Sequence, residues 1–210
     1  MKHHDHERHH HYHSHLHHSH PGTSNRHAPK FALAGLLVAT AAGLGLLAHK
    51  KTAKRKEASV GTGFQLTSPA FESGERIPVR YTCKGVNVSP PLELSGVPAT
   101  AQSVAIVLRD PDAPSGDYLH WVMWDIHPGI TTILEDTVPV GASEGLNDFG
   151  EEGYGGPCPP MGNHHYEFTA YALDASLDLP AGSEKTKVMT AIKKHTIATT
   201  KLIGSFSAGS

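Results

Sequence analysis

The sequence predicts a mainly β fold, a β-sandwich with peripheral helices, and three observations carry that reading. From Phe64 onward, short apolar runs are separated by Gly, Pro, Asn and Asp, the punctuation of strands and turns. Within that region SVAIVL (Ser103 to Leu108) is apolar and β-branched on both faces, as a central strand is. Helical periodicity appears only late, from about Lys185 to Thr196, with Val188, Ala191, Ile192 and His195 on one side. The 210 residues fit one globular domain, and the formal charge of −2 gives no reason to expect nucleic acid as a partner.

Three distinct segments, 1–29, 30–49 and the basic linker 50–63, precede the domain at 64–210. The first holds His3, His4, His6, His9, His10, His11, His13, His15, His17, His18 and His20 in a low-complexity run. It has no apolar periodicity and too little apolar surface to offset the entropy of ordering, so disorder is expected. Asp5, Glu7, Arg8 and Ser14 interrupt the histidines, unlike an expression tag. Imidazoles suit Zn, Ni and Cu, so loose multivalent metal binding is the functional reading; no spacing defines a site.

Phe31 to Ala48 carries no charged residue over 18 positions and would span roughly 27 Å as a helix, close to hydrocarbon thickness. A single transmembrane helix is the leading reading of 30–49, and a secretory signal is the competing one. Lys50, Lys51, Lys54, Arg55 and Lys56 outnumber Lys2, Arg8, Arg26 and Lys30, which would place the domain in the cytoplasm; a secreted or periplasmic domain is the alternative.

Inside the domain, FQLTSPAF, IPVRYTC and LELSGV follow in turn as strand-like runs. SVAIVL leads into DPDAP, where two prolines fix φ and remove two donors, so Asp110 to Pro114 form a stiff loop. HWVMWDI (His120 to Ile126) is the next strand, followed by ITTILED. A Gly-rich passage then ends in GYGGPCPPMGNHHYEF, Gly153 to Phe168. Alternation along the strand it enters aims His164 and Tyr166 to one side and His165 to the other. Tyr166, Phe168, Ala170 and Ala172 share a face, and TKLIGSF closes the domain. Two Asp, two His and a Tyr thus stand on rigid loop ends able to converge.

FQLTSPAF, YTCKG, NVSPPL, DPDAPSG, HWVMWDI, GYGGPCPP and HHYEFTAYALD resemble, in order and spacing, the bacterial YbhB/YbcL-like branch of the phosphatidylethanolamine-binding protein family, also known for Raf-kinase-inhibitor-like members. The resemblance covers Phe64 to about Phe206. It implies a Greek-key β-sandwich with a small pocket for phosphate or a phospholipid headgroup, formed by Asp110, Asp112, His120, Gly156, Pro157, His164 and Tyr166. It also implies a possible homodimer and a role in inhibiting a kinase or serine protease. Three positions depart from the family pattern. His165 replaces an Arg, Lys84 stands where Asp is common, and Leu94 where Trp is common.

Two bare carboxylates would repel phosphate, so Asp110 and Asp112 are expected to orient imidazoles and backbone N–H groups. The anion would be met by His120, His164, the Tyr166 hydroxyl and the Gly-rich loop, more tightly as pH falls. No nucleophile elbow, phosphate loop or HExxH occurs, so a binding protein without cofactor is expected rather than an enzyme. A small hydrolytic site built from the same Asp and His is the alternative. The two cysteines, Cys83 and Cys158, are expected as thiols if the domain is cytoplasmic.

Overall fold

A computed structural model describes residues 63–209. The expectations for the histidine-rich segment, the hydrophobic stretch and the basic linker lie outside those residues. Among the described residues no helix is long and apolar enough to cross a membrane.

In chain order the elements are β1 (Gln65–Thr67), a 3-10 turn (Val79–Tyr81), β2 (Leu92–Ser95), β3 (Ser103–Asp110), β4 (Tyr118–Ile126), β5 (Thr132–Ile133), β6 (Ser143–Glu144), β7 (Asn163–Leu173), α1 (Lys185–His195) and β8 (Thr196–Ser207). They form an antiparallel sandwich of a three-stranded sheet, ordered β1-β2-β5, and a five-stranded sheet, ordered β6-β4-β3-β7-β8. After the β4–β6 excursion the chain returns as β7 on the far side of β3, a Greek-key crossover.

The sequence of β3 explains its central place. Val104, Ile106 and Leu108 enter the core between the sheets, while Ala105 and Val107 enter a second core beneath α1. Leu108 is flanked in register by Trp121 of β4 and Phe168 of β7, so the strand is buried on both faces. In α1, Val188 and Ile192 are fully buried, and Lys193, Lys194 and His195 sit at the carbonyl end, where positive charge complements the helix dipole. The chain passes straight from α1 into β8, which pairs with β7 from Leu173↔Thr196 to Asn163↔Ser207. β8 forms the outer edge of its sheet. Residues Gly74 to Ile77 cover its final third through bonds to Ile203 and Ser205.

Two strand-like runs do not become the strands expected of them. In IPVRYTC, Pro78 precedes a 3-10 turn, and the turn is closed by bonds from Tyr81 N to Pro78 O and from Thr82 N to Val79 O. Its apolar content is used differently: Ile77 and Tyr81 plug the core from a loop. ITTILED contributes only the two residues of β5, where Ile133 pairs with Leu92, and Leu134 turns outward. One α-helix and the 3-10 turn are the peripheral helices among the described residues.

Candidate functional site

Asp110 ends β3 and receives two bonds. The Asp112 N–H donates to Oδ1 at 2.9 Å, closing the turn that DPDAP begins, and His164 Nδ1 lies 2.7 Å from Oδ2. The Asp110 and His164 side chains are only 4% and 8% exposed. A carboxylate accepts, so Nδ1 of His164 carries the proton and Nε2 is the ring nitrogen left for a ligand. His120 is held in the same way by a different acceptor. Its Nδ1 donates to the Gly155 carbonyl at 2.8 Å, and the Gly155 N–H returns a bond to the His120 carbonyl at 2.9 Å. Both tautomers are therefore set by their anchors.

Aromatic rings enclose His120 edge-on, with Tyr118, Phe149 and Tyr166 at 5.3, 5.2 and 5.3 Å between centroids. Burial in this cage pushes the His120 pKa below its ordinary value, against the opposing pull of the Gly155 carbonyl and Asp110. Burial, and then the nearby Asp110 charge, pushes the Tyr166 phenol upward. Its hydroxyl is buried without a hydrogen-bond partner, although Asp110 is close enough to raise its pKa.

The Gly-rich loop is fixed by close approach. A side chain at Gly156 would meet the Tyr81 carbonyl at 2.6 Å and Asn87 Oδ1 at 2.5 Å. In its absence the Gly156 N–H reaches Asn87 Oδ1 at 2.9 Å, and Asn87 takes a φ of 64° to offer it. Beside this contact Cys83 and Cys158 form a disulfide, and the Cys83 N–H donates to the Pro157 carbonyl. The thiol expectation is thus corrected: the turn at 79–87 and the loop at 153–160 pack together, which brings the two sulfurs into bonding distance.

These residues surround a cavity of about 190 Å³ whose walls include Asp110, Ser115, Tyr118, His120, Phe149, Cys158 and His164. Of the residues read from the sequence, Asp110, His120 and His164 line it directly. Tyr166 lies beneath, stacked on His164 at 6.5 Å and edge-on to His120. Asp112 sits at the rim, accepting the His165 backbone N–H at 2.8 Å and lying 2.7 Å from His165 Nδ1. Those two bonds draw its pKa down, the backbone bond first, so His165 braces the carboxylate by its backbone as well as its ring. Gly156 lines an adjoining cavity with Asn87 and Glu151, and Pro157 is a buried buttress rather than a wall. Tyr118, Phe149, Ser115 and the Cys158 wall were missed. Tyr118 stands two residues before His120 on one strand face, a period-two signal that was there to be read. Phe149 carried no local signal, because the loop path alone delivers it. Among the described residues no group of three His, Cys, Asp or Glu side chains is arranged to hold a metal ion.

The chain is thus an antiparallel sandwich with a small histidine-lined pocket at the loop end of its central strands. The sequence profile described as phosphatidylethanolamine-binding protein matches residues 67–207, and the chain belongs to that family. A UPF0098 protein of Methanothermobacter thermautotrophicus is 46% identical over 149 residues, spanning 69% of this chain and 99% of that protein. LppC of Mycobacterium tuberculosis, whose name describes a lipoprotein, is 42% identical over 143 residues, spanning 67% of this chain and 71% of that one. The solved phosphatidylethanolamine-binding protein homologue of Chlamydia trachomatis superposes with a TM-score of 0.66 at 40% identity, covering 70% of this chain and 99% of its own. Escherichia coli YbcL superposes equally, at 0.66 and 34% identity over 69% and 98%.

Proposed function

We propose that the domain binds a small phosphate-type anion, free or as a phospholipid headgroup, between His120 and His164, without turning it over. One observation carries this reading: two buried imidazoles, each anchored through Nδ1 and so left with Nε2 for a ligand, line one small cavity, with Tyr166 packed against both rings. A neutral Nε2 only accepts, so an anion requires a proton there, and binding takes protons up. Affinity therefore rises as pH falls. Because burial depresses the His120 pKa, affinity through that residue keeps rising as pH falls below 6.5 and levels off only beneath the depressed value. The exposed Phe149 on the cavity wall offers an apolar contact to a protein docking there, and regulation of a kinase or serine protease is the second reading.

Calorimetric titration of the full chain at pH 5 and pH 8 tests the site. Phosphate and phosphoethanolamine serve as ligands, and sulfate, whose charge is constant over that range, isolates the imidazoles. Sulfate should bind at least about tenfold more tightly at pH 5, the worth of one charge-assisted bond. His164→Ala should reduce both the affinity and the gain, and Tyr166→Phe should weaken binding several-fold. Equal sulfate affinity at both pH values removes the proposal.

The bridge between Cys83 and Cys158 supports an oxidising compartment for the domain, with residues 31–48 acting as the export segment, whether retained as an anchor or removed.

A further inference from the structure

On the other face of the five-stranded sheet, away from the imidazoles, lies a cleft of about 440 Å³ between the sheet and α1. Its lining is Arg109 from β3, Tyr171 from β7, Met189, Ile192 and Lys193 from α1, and Thr196 at the start of β8. That volume is in the range of small-molecule sites, and the histidine cavity is less than half as large. Chemically it is divided. Tyr171, Met189 and Ile192 make an apolar floor, and Arg109 and Lys193 place two positive charges on its walls. Thr196 adds no free donor, since its hydroxyl donates to the Ile192 carbonyl at 2.6 Å.

Arg109 is only partly used. Its Nη1 pairs with Asp117 at 2.6 Å, yet Nε is buried and has no hydrogen-bond partner. A buried donor left without an acceptor is destabilising, and a guanidinium holds two acceptor oxygens along one edge. Lys193 has no ion-pair partner among the described residues and is exposed. Adjacent positions on one strand thus serve opposite faces: Asp110 faces the imidazoles and Arg109 faces this cleft.

We propose that the cleft is a second ligand site for an amphiphilic monoanion, a carboxylate on an apolar chain or ring. The apolar body would lie on Tyr171, Met189 and Ile192, with the carboxylate between Arg109 and Lys193. Charge complementarity selects the ligand class: an uncharged amphiphile leaves Lys193 and the Arg109 Nε without an acceptor, and a cationic one is repelled.

Titration of the full chain with decanoate, with decanol and decyltrimethylammonium as controls, tests it. Decanoate should bind, and the cation should not. Arg109→Gln and Lys193→Gln should each weaken decanoate at least about tenfold, one charge-assisted bond lost. Met189→Trp, which fills the floor, should do the same without touching a charge. Sulfate binding at the histidine cavity should be unchanged in all three variants, which also shows that they fold. Decanoate affinity that is equal in wild type and all three variants places binding elsewhere on the chain and overturns the proposal, as does no binding at all.

Discussion

Asp110 and His120 show how one buried group governs several neighbours. Asp110 closes a turn through one oxygen and orients His164 through the other, so its loss would release both the loop and the ring. His120 has a consequence for stability that can be checked directly. Its folded pKa is lowered by burial, so the unfolded chain binds the proton more readily. The stability tied to this residue is complete above the unfolded value of about 6.5 and is lost as pH falls from there toward the folded value. Thermal melts from pH 7.5 to pH 5 should therefore fall more steeply for the wild type than for His120→Gln. Parallel curves would show that the ring is not desolvated.

At the scale of elements, what was legible in the sequence follows from what each segment buries. SVAIVL could be read because a strand covered on both faces must be apolar at nearly every position, and YEFTAYAL because Tyr166, Phe168, Ala170 and Ala172 alternate onto one face. The limits of α1 could be read because Val188 and Ile192 repeat at helical spacing. IPVRYTC misled because Ile77 and Tyr81 are apolar for the same reason a strand residue is, while Pro78 diverts the backbone into a turn. Within the site, the residues on strands were found from periodicity and motif. Phe149 and the Cys158 wall were not, since loop paths are set by distant contacts such as Gly156 against Asn87. The Cys83–Cys158 bridge joins the two loops across 75 residues of chain. In the chain-entropy view a closure of that length stabilises by about 4 kcal/mol. Replacing both cysteines with serine should lower the melting temperature by several degrees or more and weaken sulfate binding, because Gly155 would hold His120 less firmly. A melting temperature unchanged by the double substitution would show that the packing of the two loops suffices alone.

For the whole molecule, the disulfide and the charge distribution around 31–48 pull in different directions. Five basic residues follow the apolar stretch and four precede it, a margin of one that the positive-inside rule weighs lightly. A bridge is rarely kept in a reducing cytosol, so the domain is expected outside it. Protease added to intact cells, with mass mapping of the cysteines without reductant, should find the domain accessible and bridged. A protected domain with free thiols would restore the cytoplasmic placement that the basic run implies.

The long strand that leaves α1 also bears on how copies of the protein meet. Only the last third of β8 is shielded, by the bonds that Gly74 and Ile77 make to Ile203 and Ser205. Along Thr196 to Thr200 the outer row of N–H and C=O groups has no strand beside it among the described residues, and Ile197 is 42% exposed there. Such a row is a template on which another extended chain can add, and lysine is the residue natural sheets use to discourage that. Lys201 guards one end only, and it is drawn back to Glu167 at 2.6 Å. Ile197→Lys should leave the melting temperature within about a degree and delay the onset of aggregation in light scattering near the melting point. An unchanged onset would mean that this open edge is not where the chains first join.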